Sequence, residues 1–217
     1  MKKFLLVLFC TILFYSVDSY SQDIGELAPE KPPTIYPPRA LGLDIMFGDA
    51  GFGLGGFFRK QINTNWTAFV DASWSETKDE REFEYYDPYQ GIFVTAFKKN
   101  RVFQIPLNFG AQYRLFEKDL TDNLRPYLVA GVGPSFILTT PYEVEFFSSF
   151  AYAQVHYAVG GYVGFGANFG LDKSSLVGVN FRYYYSKLVN GGVESLYGKE
   201  KTEIKGFFIT LNLGFMY

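Results

Sequence analysis

Gly51, Gly53 and Gly56, in the stretch GFGLGG, stand at the G-x-G-x-x-G spacing that cradles a dinucleotide pyrophosphate. Asp71 follows about 20 residues on, where an acid would hold the ribose. That chemistry needs a strand before the glycines and a helix after them. Here Phe57-Phe58-Arg59-Lys60 continues as strand into a polar turn. The glycines therefore read as relief of crowding within a strand, and no nucleotide cofactor is implied. His156 is the single histidine of the chain. No Ser-His-acid constellation is visible around it, and one His without Cys partners supplies too few ligands for zinc. It is expected as a hydrogen-bonded lumen side chain, and the chain as a non-enzyme without metal or cofactor.

A different chemistry is written in charges embedded among apolar residues. Asp44, Asp71 and Arg182 each occupy the polar phase of an alternating segment, and Asn108, Asn180 and Asn212 fall at similar depth. Arg114 and His156 share that phase. Groups of this kind, sealed inside a narrow structure, must pair. The expectation is a polar network of Asp44, Asp71, Asn108, Arg114, His156, Asn180, Arg182 and Asn212 that plugs an interior.

The elements that position these residues are strands. From about Ala40, eight segments alternate large apolar with polar or small residues, the period-two signature of a sheet. They begin at ALGLDIMF (Ala40 to Phe47), GFGLGGFFRK, and Trp66 to about Ser75. Next come VFQIPLNFGAQYRL, about Arg125 to Leu138, about Tyr152 to Leu171 and Leu176 to Lys187. The last is GFFITLNLGFMY, running to Tyr217. In the fourth, Phe103, Ile105, Leu107, Phe109, Ala111, Tyr113 and Leu115 share one face, against Gln104, Asn108, Gly110, Gln112 and Arg114.

Ahead of the strands, Met1-Lys2-Lys3 leads an apolar run from Phe4 to Tyr15 and then Ser19-Tyr20-Ser21. This reads as a secretory signal peptide, residues 1–21, too short to span a bilayer. The single cysteine, Cys10, lies within it, so the mature chain is expected to hold no disulfide or thiol nucleophile. Residues 22–39, containing APEKPPTIYPP, read as a Pro-rich periplasmic linker, and residues 40–217 as one domain. A net charge of -2 without a basic cluster gives no sign of a nucleic-acid partner.

Alternating strands suit either a soluble sandwich or a membrane barrel. Segments of ten or more residues exceed the usual soluble strand and match the roughly nine to eleven that a tilted strand needs to cross a bilayer. Trp66 and Trp74 sit eight residues apart on one face, and Phe207 and Tyr217 ten apart. At about 3.3 Å per residue and a tilt near 40°, these spans come to roughly 20 and 25 Å, the height of a barrel's apolar band. Trp66, Trp74, Phe103, Tyr113, Tyr185, Phe207 and Tyr217 are thus expected as aromatic girdle residues. Links alternate between short (62–65, 116–124, 172–175) and long (76–100, 139–151, 189–205), apart from the first hairpin. With both termini on the periplasmic side, eight strands close consistently. The fold expected is all-β, an eight-stranded antiparallel up-and-down transmembrane β-barrel.

The signal peptide, the alternating strands and the terminal LNLGFMY resemble the small eight-stranded, porin-like outer-membrane β-barrel proteins of Gram-negative bacteria. The resemblance covers about Ala40 to Tyr217. It implies bacterial outer-membrane localisation, contact with outer-membrane lipid and lipopolysaccharide, and a monomer. It also implies that Phe215 and Tyr217 form the insertion signal read by the barrel-insertion machinery. That signal usually ends in Phe, so Tyr217 is a mild departure. Expected at the cell surface is a structural or interaction role, with the aromatic loop 76–100 as the site for an extracellular ligand. The alternatives are a narrow channel for small or hydrophobic solutes and, further off, a lipid-modifying barrel enzyme.

Overall fold

The computed structural model of the chain describes residues 36–49, 51–89, 91–117, 120, 123–170 and 173–217. The expected signal peptide, 1–21, and residues 22–35 of the expected linker lie outside the described residues.

The alternation seen in the sequence builds eight long strands: β1 (Arg39–Gly48), β2 (Gly51–Gln61), β3 (Trp66–Thr77), β6 (Asn100–Arg114), β7 (Leu124–Pro141), β8 (Gln154–Phe169), β9 (Ser175–Leu188) and β12 (Glu203–Met216). They pair in the order β1-β12-β9-β8-β7-β6-β3-β2 and close into a barrel. Every sequential neighbour is antiparallel, and β12 returns to β1 with Leu43 opposite Leu213 and Asp44 opposite Asn212. Pairing at this seam continues past the strand ends. The Arg39 amide donates to the Tyr217 carbonyl at 3.2 Å, and the Tyr217 amide donates back to the Arg39 carbonyl at 2.9 Å. A closed ring leaves no unpaired edge, which is the condition for placing strands in hydrocarbon.

The outer wall decides between barrel and sandwich. Leu43, Phe47, Leu54, Val132, Val159, Val163, Phe165 and Ile209 all point outward and are strongly exposed, Val132 at 69% and Leu43 at 65%. Asp44, Asp71 and Arg182 are buried within the ring at 1%, 3% and 2% exposure. A water-soluble sandwich would invert this arrangement. The structure is a transmembrane barrel, apolar outside and charged inside.

The interior is filled in layers, and it is more aromatic than the strand patterns suggest. At the end where β1 begins and β12 ends, the terminal end, Ala40, Phe57, Leu176 and Met216 cluster with Tyr36 packed against them. Midway, Met46, Phe69, Tyr127, Val129, Tyr162, Tyr184 and Phe208 surround the charged groups. Toward the opposite, loop end, Val102, Ile137, Ala158, Leu188 and Ile204 close around Val193, which descends from a loop. Glycine makes room for these rings. A Cβ on Gly110 would stand 2.6 Å from Phe69 Cζ and 2.1 Å from the Ala130 carbonyl oxygen. Gly53 and Gly55 of the GFGLGG stretch face Ser75 and Ser73 within a continuous strand, with no helix following.

Proline locally interrupts the wall. The β3–β6 ladder skips from Ala72↔Leu107 to Ser75↔Gln104, around Pro106. The β6–β7 ladder skips from Pro106↔Ser135 to Phe109↔Val132, around Pro134. Neither proline has an N–H to donate.

Several expected boundaries move. β1 starts at Arg39, and Tyr36 already packs in the barrel mouth, so the last residues assigned to the linker belong to the barrel. Tyr152, expected as the start of the sixth strand, instead ends a 3-10 turn (Phe150–Tyr152) that follows a short helix, α1 (Phe146–Ser149), and the strand begins at Gln154. The loop expected at 76–100 contains its own hairpin, β4 (Glu84–Asp87) with β5 (Ile92–Thr95). The loop expected at 189–205 contains a second, β10 (Val193–Leu196) with β11 (Lys199–Lys201).

Candidate functional site in the lumen

The central feature of the lumen is a septum of polar side chains delivered by every barrel strand except β2. Strand periodicity places each one inward, and register brings two of the contacts together. Asp44 lies directly opposite Asn212 across the β1–β12 seam, and Asp71 opposite Asn108 across β3–β6. Asn212 Nδ2 donates to Asp44 Oδ1, and Asn108 Nδ2 donates to Asp71 Oδ1 at 2.9 Å.

Arg182, from β9, reaches across the lumen to both acids. Its Nη2 meets Asp44 Oδ2 at 2.7 Å, and its Nη1 stands 3.7 Å from Asp71 Oδ2. Its Nε donates to Asn180 Oδ1 at 2.8 Å and its Nη1 to Tyr184 OH at 3.4 Å, while the guanidinium sits 5.0 Å from the centre of the Tyr162 ring. Tyr162 OH donates to Asp71 Oδ2. Asn180 Nδ2 donates to Asn212 Oδ1 at 2.9 Å and to Tyr127 OH at 3.1 Å, which ties the two acid arms together. One guanidinium thus answers two carboxylates, with amide and phenol donors supplying the rest. Pairing of this kind is what a buried charged group requires. Ser73 Oγ, Asn108 Oδ1, Ser135 Oγ and Thr210 Oγ1 are buried nearby without a partner.

Two residues expected in this network lie elsewhere. Arg114 is at the terminal-end mouth, where its Nη2 donates to the Leu120 carbonyl at 2.9 Å. His156 faces inward, opposite Ile137 near the loop end, and lines a cavity of about 250 Å³ with Lys99, Asn100, Gln154 and Glu194. Strand phase assigned both to the interior correctly, but phase carries no information about height. Conversely, Tyr127, Tyr162 and Tyr184 belong to the septum and were not singled out from sequence. Each shares the inward phase of a named polar neighbour, Tyr184 with Arg182 for example, and that phase was the available signal.

The girdle candidates lie at both rims of the outer wall. Trp66 and Tyr113 pair across β3–β6 at the terminal end, ring centroids 4.9 Å apart, and Phe215 and Tyr217 lie 5.9 Å apart at the same end. Trp74, Tyr185 and Phe207 are exposed toward the loop end. Phe103 is the exception. It points outward yet is only 5% exposed, because Trp74, Phe146 and Phe150 cover it at centroid distances of 5.7, 6.3 and 5.8 Å. A patch of the wall read as lipid-facing is therefore sealed by the chain's own α1 segment.

The loop end is locked by a second charged cluster. Lys98 Nζ meets Glu82 Oε2 at 2.6 Å with both side chains buried, and Ser195 Oγ donates to Glu82 Oε1. The Asp79 amide donates to Glu82 Oε1 at 3.1 Å. The Arg81 guanidinium grips Asp79 through two hydrogen bonds, at 2.8 and 2.7 Å, and holds that carboxyl down to about 2. Backbone bonds from Lys99 to Ser195 (2.7 Å) and from Tyr197 to Phe97 (3.1 Å) join the two hairpin loops. Among the described residues, no three His, Cys, Asp or Glu side chains gather as a metal site.

Set together, a closed ring of eight antiparallel strands, an apolar belt outside and a charged septum inside define the class: the chain has the fold of the small eight-stranded outer-membrane β-barrels. No protein-family model matches the chain, and no curated protein matches it. Among solved structures it is similar to Neisserial surface protein A (NspA), with 12% identity and a TM-score of 0.48, covering 82% of this chain and 94% of that one. It is also similar to the N-terminal β-barrel domain of Pseudomonas aeruginosa OprF, with 13% identity and a TM-score of 0.44, covering 82% and 95%. For Ail, the attachment invasion locus protein of Yersinia pestis, the identity is 12% and the TM-score 0.40, covering 83% and 99%.

Proposed function

We propose that this chain is a bacterial outer-membrane barrel with a structural or surface-interaction role, its lumen closed to solutes and its capped loop end presented outside the cell. The observation that carries the reading is Arg182 bridging Asp44 and Asp71 across the barrel axis at 2.7 and 3.7 Å. An eight-stranded ring is only wide enough for side chains to fill, and here they fill it with mutually satisfied charges. The apolar layers above and below the septum support the same reading, and they weigh against a conducting path.

The surface best suited to contact a partner is the β4–β5 hairpin. Phe83, Tyr85, Tyr86, Phe93 and Phe97 are all exposed there, and Tyr89 is 98% exposed at the tip. Exposed aromatic clusters of this kind favour recognition. Toward the membrane, outer-membrane lipid and lipopolysaccharide would meet the belt. Phe215 and Tyr217, exposed at the closing strand, would engage the insertion machinery after removal of a signal peptide.

Planar-bilayer recording tests the closed lumen. The expected outcome is no stable conductance from the purified chain, whereas steady single-channel currents would replace this reading with that of a narrow channel.

A further inference from the structure

Three arginines gather at the terminal-end mouth, and the septum uses none of them. Arg59 comes from β2, Arg114 from the end of β6 and Arg125 from the start of β7. Arg114 and Arg125 line a cavity of about 280 Å³ together with Tyr36, Gln112, Glu117 and Tyr127. Arg59 stands behind its wall, donating from Nη1 to Asn168 Oδ1 at 3.3 Å and lying 4.0 Å from the centre of the Phe57 ring. Arg125 stacks on Tyr36 at 3.8 Å.

Their charge is not answered as that of Arg182 is. None of the ion pairs formed among the described residues includes Arg59, Arg114 or Arg125. Glu117 is the one carboxylate lining the cavity among those residues. The Nε atoms of Arg114 and Arg125 are sealed from solvent with no partner. Each guanidinium has therefore given up hydration on one edge without a replacement, and the edge turned to the cavity is where compensation can arrive. Buried charge left in this state is costly.

We propose that this cavity is a binding site for a small phosphate-bearing anion admitted from the terminal end of the barrel. Two lining guanidinium groups against one carboxylate, with Arg59 behind the wall, leave a positive excess that suits a phosphate ion or phosphomonoester, which carries about -1.5 to -2 at neutral pH. Planar forks recognise tetrahedral oxyanions through paired N–H groups, with geometric as well as electrostatic selectivity. The volume lies just under the lower end of the roughly 300–1,000 Å³ usual for ligand sites, which suits inorganic phosphate or a short ester and excludes a bulky ligand. Gln112, Thr67 and the Tyr127 ring complete a wall of polar and aromatic groups. Tyr127 also bonds to the septum through its hydroxyl, so a bound anion would sit against the base of the lumen plug.

The test is calorimetric titration of the full chain in detergent micelles with inorganic phosphate, at constant ionic strength set by chloride. Saturable one-to-one binding with a Kd of about 1 mM or tighter is expected. Arg125→Gln should weaken it about tenfold or more. Arg114→Gln, at the half-buried rim, should do the same and serves if the first variant fails to fold. Lys60→Gln, an exposed lysine at the same end, should leave it unchanged. A parallel titration with glycerol 3-phosphate separates the sources. Tighter binding of glycerol 3-phosphate points to the phosphate ester of a lipid headgroup, and equal or tighter binding of inorganic phosphate points to the free ion. Absence of saturable heat with either probe, or equal weakening by Lys60→Gln, would overturn the proposal.

Discussion

The barrel holds two buried ion clusters that look alike in chemistry and differ in how they are built. In the septum, Arg182 meets Asp44 and Asp71 from three strands of the hydrogen-bonded ring. At the loop end, Lys98 meets Glu82, both from the single 78–99 connection, and Ser195 joins them from the 189–202 connection. The first is positioned by register, since the backbone ladder fixes where each side chain points before any charge is paired. The second positions its own backbone, because those connections have few ladder bonds of their own. A charge pair on a rigid frame specifies which groups fill the interior. A charge pair within one loop, tied to the other through Ser195, decides whether the loops are ordered at all.

Removing one member from each cluster should separate these roles. The largest effect is expected for Arg182→Met, which strands two carboxylates in a closed interior and should cost about 3–5 kcal/mol of global stability in urea unfolding from lipid vesicles. Adding Asp44→Asn and Asp71→Asn to that variant should recover most of the loss. If the triple variant is no more stable than the single one, the charges are not what the septum depends on. Lys98→Met should give an effect of about 1–3 kcal/mol, confined to opening of the cap. Amide exchange should speed up in 78–99 and 193–201 while β6 to β9 stay protected. A uniform loss of protection would mean that the cap and the ring fold as one unit.

The smallest effect concerns pH. The Asp79 carboxyl is held down from its ordinary 3.8 to about 2 by hydrogen bonds from Arg81. A carboxylate depressed on folding contributes stability that is fully present above its unfolded value and lost as pH falls through the folded one. The cap should therefore keep its order from neutral pH down to about 4 and loosen gradually toward about 2, as read by amide exchange in 78–99. Arg81→Gln should bring the carboxyl back toward its ordinary 3.8 and flatten the loss of order between about 4 and 2, and an unchanged profile would remove Asp79 from the account.

The same contrast explains what the sequence made legible. All eight strands could be read from period-two alternation, because in a barrel each side chain is either in the ring or outside it. Asp44, Asp71, Asn108, Asn180, Arg182 and Asn212 followed from phase, and the cross-strand pairs then put them at one height. Arg114 and His156 share that phase and end at opposite mouths, since height depends on strand stagger. The lumen tyrosines were hidden by their chemistry. Tyr162 reads as apolar in a pattern, although its hydroxyl is what binds Asp71. In the loop regions no period survives. The packing of α1 over Phe103 arises from rings brought together only after the strands have closed, and no local spacing encodes it.

The seam between β1 and β12 has a consequence for how the molecule comes into being. Its contacts join positions as far apart as Asp44 and Asn212, separated by 168 residues, and its last bonds engage Tyr217 itself. Topologies dominated by such distant pairings fold slowly, because loop-closure entropy is spent before contacts compensate for it. The ring cannot lock until Tyr217 is present to pair with Arg39. Through that interval the greasy outer faces and open strand edges are an aggregation hazard, one that the closed ring removes by pairing its last edge.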